Sequence, residues 1–129
     1  MFTLDQIKTA HSKVKSGADF PNYIKELKTI GITNYQTFVL DGHTDYFGNN
    51  NYKISTPSRY EALSISDKSD AAQFIKELKE HQQGKSDYPY FCQMSARTGV
   101  EKWEVNMSKM TCTYFDKTGN EVLKEIIPG

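Results

Sequence analysis

Cysteine is almost missing from this chain. Only Cys92 and Cys112 occur in 129 residues, too few for a disulfide framework, and their spacing matches no CxxC or zinc pattern. An excess of charge is missing too. Sixteen basic and sixteen acidic side chains balance to zero and lie interspersed. That argues against nucleic-acid binding, which depends on Lys and Arg neutralising phosphates, and it leaves no polybasic anchor for an anionic membrane. No apolar run approaches the length of a membrane-spanning helix. The opening Met-Phe-Thr-Leu-Asp-Gln lacks the basic region and apolar stretch of a signal peptide. No cofactor fingerprint and no convergent catalytic set stands out. The expectation is a cytoplasmic protein without cofactor, nucleic acid or membrane partner.

What the chain does have is a gapless self-similarity at an offset of 68 residues. Ile7-Lys8 recurs as Ile75-Lys76, Asp19-Phe20-Pro21 as Asp87-Tyr88-Pro89, and Gly31-Ile32 as Gly99-Val100. Tyr35 returns as Trp103, and Tyr46-Phe47 as Tyr114-Phe115. These are turn, helix-start and core-type positions, where a shared backbone would demand them.

In the first unit, Thr3 caps a helix with Gln6 reaching back, and Leu4, Ile7, Ala10 or His11, and Val14 form its apolar stripe. Ser16-Gly17 is expected to stop it. Asp19 and Pro21 open a second helix carrying Tyr23, Ile24, Leu27 and Ile30, and Gly31 suits its left-handed end. Tyr35 to Leu40 reads as a strand, and Asp41-Gly42 as a two-residue hairpin turn. That turn places Val39 opposite Thr44 and Thr37 opposite Tyr46. A loop at Asn49-Asn50-Asn51 then puts Ile54 opposite Tyr46.

The second unit follows suit. One helix starts at Ser69 or Asp70, carries Phe74, Ile75 and Leu78, and ends near Gly84. Another runs from Asp87-Tyr88-Pro89 through Cys92 and Ala96 to Gly99. A strand alternates Trp103, Val105 and Met107 with polar residues, Met107 facing Cys112 and Val122 facing Tyr114. Because about 60 residues bury little surface alone, the units are expected to pack as one α+β domain over 1–129. Unit 1 is 1–57, the linker 58–68 with a short element around Tyr60 to Ile65, and unit 2 is 69–127, with a seam between the units.

Four stretches carry a resemblance: Phe2-Thr3-Leu4-Asp5-Gln6-Ile7, His81-Gln82-Gln83-Gly84-Lys85-Ser86-Asp87-Tyr88, Gly99-Val100-Glu101-Lys102-Trp103, and Met110-Thr111-Cys112-Thr113-Tyr114-Phe115-Asp116. Together they resemble the YdfO/YbcV-like family of small prophage-associated bacterial proteins, often labelled "phage envelope protein". The resemblance implies a duplicated α+β fold and no established activity, so it transfers no catalytic residues.

Several side chains are candidates for function. His43 and Asp45 alternate onto one face and could reach one metal ion or serve acid–base chemistry, but a third ligand is missing, and a hairpin whose flanking strand carries polar residues outward is the preferred reading. His81 and Lys85 follow a helix end and precede the next helix, so they could hold an anion or simply complement a helix dipole. Cys112 and Cys92 fall at core positions, where a thiol is inert. Phe38, Leu40 and Phe47 share the face opposite Tyr35 and Val39, an apolar surface to be covered by the linker, the other unit, a second subunit or a protein partner. The leading expectation is a non-enzymatic, prophage-type interaction protein. The alternative is a small enzyme or anion-binding domain that gathers His43, Asp45, His81 and Lys85 at the seam.

Overall fold

The computed structural model describes residues 2–14 and 19–127. Helix α1 spans Leu4–His11. Thr3 Oγ1 accepts from the Gln6 amide at 3.2 Å and Gln6 Oε1 accepts from the Thr3 amide at 2.9 Å, closing the expected capping box. It buries Ile7 and Ala10 and ends with Ser12 as its C-cap; the stop expected at Ser16-Gly17 lies outside the described residues. Helix α2, Phe20–Thr29, has Asp19 at its N-cap position and Pro21 in its first turn, and buries Tyr23, Ile24 and Leu27. Gly31 follows it at φ +106°, a conformation that favours glycine. Strands β1 (Ile32–Phe38), β2 (Thr44–Gly48) and β3 (Lys53–Ser55) come next, the last two joined by a 3-10 turn at Asn49–Asn51. Asn50 and Asn51 there take positive φ, which asparagine tolerates.

The second half runs in the same order: α3 (Ala71–Gln82), α4 (Tyr88–Arg97), then β4 (Val100–Asn106), β5 (Thr111–Asp116) and β6 (Glu121–Ile126). Asp70 and Asp87 cap α3 and α4 by accepting the Gln73 and Tyr90 amides. The class is α+β, as expected. All six strands form one antiparallel sheet in the order β3-β2-β1-β4-β5-β6. At its centre Gln36 pairs with Glu104, residues 68 apart in sequence.

Two strand registers differ from the expected ones. Thr37 faces Thr44 and Tyr35 faces Tyr46, so Val39 does not oppose Thr44. The cause is a four-residue loop, Val39 to Gly42, in place of a two-residue turn. The Phe38 amide donates to His43 O at 3.0 Å and the Gly42 amide to Phe38 O at 2.8 Å, with Gly42 alone at positive φ, +77°. Asp41, the other half of the turn signal, is engaged by the His43 amide and the Ser58 hydroxyl. The second hairpin repeats this: Val105, not Met107, faces Cys112, and Met110 takes φ 52° at the position equivalent to Gly42. Both slips are of two residues, so every side chain keeps its expected face. On the next strand Tyr46 faces Ile54 as expected, whereas Tyr114 faces Leu123 in place of Val122 because the ladder shifts between Tyr114 and Phe115.

No helix or strand forms around Tyr60 to Ile65. Residues 56–70 instead form an irregular strap sewn to neighbouring turns. The Arg59 amide donates to Asp41 O, Leu63 to Leu40 O, Ser66 to Ala96 O and Asp70 to Thr98 O, all within 2.9 Å. Tyr60 Oη donates to Val39 O at 2.6 Å. These bonds fall at irregular intervals of three or four residues and go to turns and helix ends instead of one neighbouring strand, so the strap follows those carbonyls and forms no element of its own.

The four helices cover one face of the sheet. Between the layers lie Ile24, Leu27, Phe74, Met94, Val39 and Val105, all fully buried, each worth about 1.5–3 kcal/mol for the larger side chains. Phe74 also meets Phe91 and Tyr114 at centroid distances of 6.1 and 5.0 Å, within the range of favourable aromatic pairs.

Candidate interaction surface

Among the described residues no helix lies on the other face of the sheet. Strand pairing arranges its side chains in three rows that cross the strands. The first runs His43, Phe38, Lys102, Phe115, Glu121. The middle row runs Ser55, Asp45, Gln36, Glu104, Thr113, Lys124. The third runs Lys53, Phe47, Asn34, Asn106, Thr111, Ile126.

Each row has its own chemistry. In the first, the His43 ring stacks on Phe38 at 4.5 Å and 6°. Lys102 Nζ lies 5.7 Å from the centroids of both Phe38 and Phe115, a cation between two rings. In the middle row Glu104 Oε2 accepts from Asn34 Nδ2 at 3.1 Å and from Gln36 Nε2 at 3.0 Å. Asp45 accepts from the Ser55 hydroxyl at 2.7 Å. In the third, Lys53 Nζ sits 5.8 Å over the Phe47 ring, and Ile126 is 82% exposed. The face is therefore aromatic along one side, hydrogen-bonded through its middle and mixed along the other.

His43 and Asp45 do come together, with a third group beside them. His43 Nδ1 is 2.5 Å from Asp41 Oδ1, and its Nε2 is 3.8 Å from Asp45 Oδ1. Burial pushes the Asp41 carboxyl up, but hydrogen bonds from His43 and Ser58 outweigh it and leave it below its ordinary value. Among the described residues no three His, Cys, Asp or Glu side chains are placed to hold a metal ion.

His81 and Lys85 stand on the helix side of the sheet, apart from His43 and Asp45. His81 stacks on Phe91 at 4.5 Å, and its Nδ1 is 3.0 Å from the Ser86 hydroxyl. Lys85 lines a pocket of about 370 Å³ together with Glu77, Glu80, Ser86, Asp87 and Tyr90. Tyr90 hydroxyl donates to Glu77, which together with Gln73 holds the Glu77 carboxyl below its ordinary value. Three carboxylates surround the one lysine, and Asp87 already fills the start of α4.

Of the apolar trio, Phe38 and Phe47 lie in different rows, level with Lys102 and Asn34 respectively. Leu40 is 46% exposed but belongs to the turn, because β1 ends at Phe38. Sequence reasoning missed Lys102, Phe115 and Glu104 as neighbours of these residues, since the β1–β4 pairing leaves no local trace. Both cysteines are buried. Burial raises both thiols, Cys112 to about 12, as inert core positions require.

No helix among the described residues is long and apolar enough to cross a membrane. The profile of a protein family of unknown function, DUF1398, matches residues 8–126. No curated protein matches the chain.

Proposed function

The chain belongs to the DUF1398 family of proteins of unknown function, and from that premise we propose that it is a non-enzymatic protein-interaction module whose contact surface is the uncovered sheet face. It acts as a prophage-type accessory protein, in line with the resemblance its motifs carry. The observation behind this reading is the row Phe38–Lys102–Phe115 on the solvent side of a sheet whose other side is fully packed. Aromatic rings kept beside water and flanked by satisfied polar groups have the composition of an interface: apolar anchors with a polar surround.

We read the two halves as copies of one ancestral unit, 1–57 and 69–127, joined into one domain by β1 and β4. Support comes from the Gln36–Glu104 pair and from matching four-residue hairpin loops with a positive φ at Gly42 and at Met110.

A photo-crosslinking amino acid placed at position 115 or 126 in the native host tests the surface, with position 25 on the outer side of α2 as control. Covalent adducts from 115 and 126 but not from 25 are expected. Equal adduct formation at position 25, or none from the sheet face, overturns the reading.

A further inference from the structure

Resting on the interaction reading above, we infer that the occupant of the uncovered sheet face is a second copy of this chain, packed face to face about a twofold axis. The argument begins with charge. The charged side chains of the three rows are Lys53, Lys102 and Lys124 against Asp45, Glu104 and Glu121, with His43 beside Asp41 and Asp45. Three lysines against three carboxylates leave two such faces without net repulsion.

Their placement matters more than their sum. Lys53, next to Phe47, occupies the β3 corner of the third row. Glu121, next to Phe115, occupies the diagonally opposite β6 corner of the first row. A twofold axis in the plane of the sheet, perpendicular to that diagonal, sets each Lys53 over the partner's Glu121. The same operation carries Asp45 toward the partner's Lys102 and brings Phe47 to the neighbourhood of the partner's Phe115. Unlike charges meet at the rim and aromatic rings meet inside it. An isologous contact of this kind must be self-complementary, and this face is.

Size and desolvation agree. Six strands about 4.8 Å apart and three rows about 7 Å apart span a flat area of roughly 500 Å². The side-chain surface above it is larger and approaches the roughly 800 Å² per partner of a standard interface. Glu104, the most central carboxylate, lies beside the axis and so meets the partner's Glu104; the Asn34 and Gln36 amides that donate to it in each copy offset the cost of bringing those two like charges together.

The test is a charge-swap experiment by analytical ultracentrifugation at low salt with wild type, Lys53→Glu, Glu121→Lys and an equimolar mixture of the two variants. Lys53 and Glu121 side chains are each about half exposed and pair within the chain only at 3.8 Å, with Asp45 and Lys124; such exposed pairs are worth little, so the fold is not at stake, and circular dichroism checks it. Wild type should dimerise. Each variant alone places like charges at both corners and should dimerise roughly tenfold more weakly. The mixture restores unlike charges at both corners and should return to within about threefold of wild type. A monomeric wild type at high concentration overturns the second copy as occupant. Variants that dimerise like wild type, or a mixture that recovers nothing, overturn the axis. Crosslinks from positions 115 and 126 to a different protein, with a monomeric wild type, leave the interaction reading standing and remove this one.

Discussion

Replacing Gly99 with alanine should destabilise the protein more than replacing Gly84, although both glycines end helices in the same backbone conformation. Gly84 follows α3 at φ +81° and Gly99 follows α4 at φ +85°. An L side chain in that region costs about 1–2 kcal/mol at either site. The surroundings differ. A Cβ on Gly84 meets nothing within 4 Å, whereas one on Gly99 lies 2.7 Å from Lys68 O and 2.8 Å from Ser69 Cα. Those are backbone atoms, and they cannot swing aside like a side-chain end. They belong to the strap, held there by the Ser66 amide on Ala96 O and the Asp70 amide on Thr98 O. Forcing them apart adds about 1–3 kcal/mol of overpacking. The expected losses are about 1–2 kcal/mol for Gly84→Ala and about 2–5 kcal/mol for Gly99→Ala. Urea unfolding followed by far-ultraviolet circular dichroism reads the difference. With a slope of about 1–3 kcal/mol per molar, the Gly99→Ala midpoint should lie about 0.5–1.5 M below that of Gly84→Ala at unchanged slope. Coincident midpoints would mean that the strap does not press on the end of α4, and the reasoning would fail.

Alkaline pH should destabilise the fold. Burial raises Cys112 from 9.0 to about 12 and raises Tyr35 and Tyr114 above their ordinary value of 10.0. Between about pH 9 and 12 the unfolded chain therefore loses protons that the folded chain keeps, so stability present below pH 9 is lost as pH rises; a flat thermal midpoint across that window would contradict it. Native Cys112 should resist iodoacetamide until the protein unfolds, and Cys112→Ser should cost about 1–3 kcal/mol, whereas rapid native labelling would place the thiol at the surface. Asp87→Ala removes the carboxylate that accepts the Tyr90 amide at 2.9 Å and should cost about 0.5–2 kcal/mol in chemical unfolding; no change would mean the cap is not used in solution. Phe74→Ala should cost about 3–5 kcal/mol because Phe74 is fully buried, while Phe47→Ala on the uncovered face should cost far less, and similar losses would show that this face is packed as core.

Much of the fold is legible in the residues themselves because the forces responsible are local. The Thr3/Gln6 box, the Asp70 and Asp87 caps, Pro21 and Pro89 in first turns, and the glycines at 31, 84 and 99 act within a few positions of where they stand. Strand alternation likewise sorted Tyr35, Trp103, Val105 and Tyr114 to one face and Phe38, Phe47, Lys102 and Glu104 to the other, and a two-residue error in hairpin register left that sorting intact. Loop length was not legible. The Asp41-Gly42 pair fits a two-residue turn as well as a four-residue loop, and contacts from Ser58 and the strap accompany the longer form.

Only the tertiary structure joined β1 to β4. Backbone hydrogen bonds between residues 64 to 72 apart depend on the amides and carbonyls that every residue carries, so no side-chain pattern announces them. That one pairing merges two three-stranded meanders into a single sheet and puts Lys102 between Phe38 and Phe115. It also assembles three rows from residues that lie in separate halves of the chain. Which face the helices cover was, by contrast, legible in the strand alternation, which set Tyr35, Val39, Trp103 and Val105 on the core side where all four are buried. The sequence alone determined the elements and the two faces of each strand; the long-range pairing decided which residues meet on the face left open.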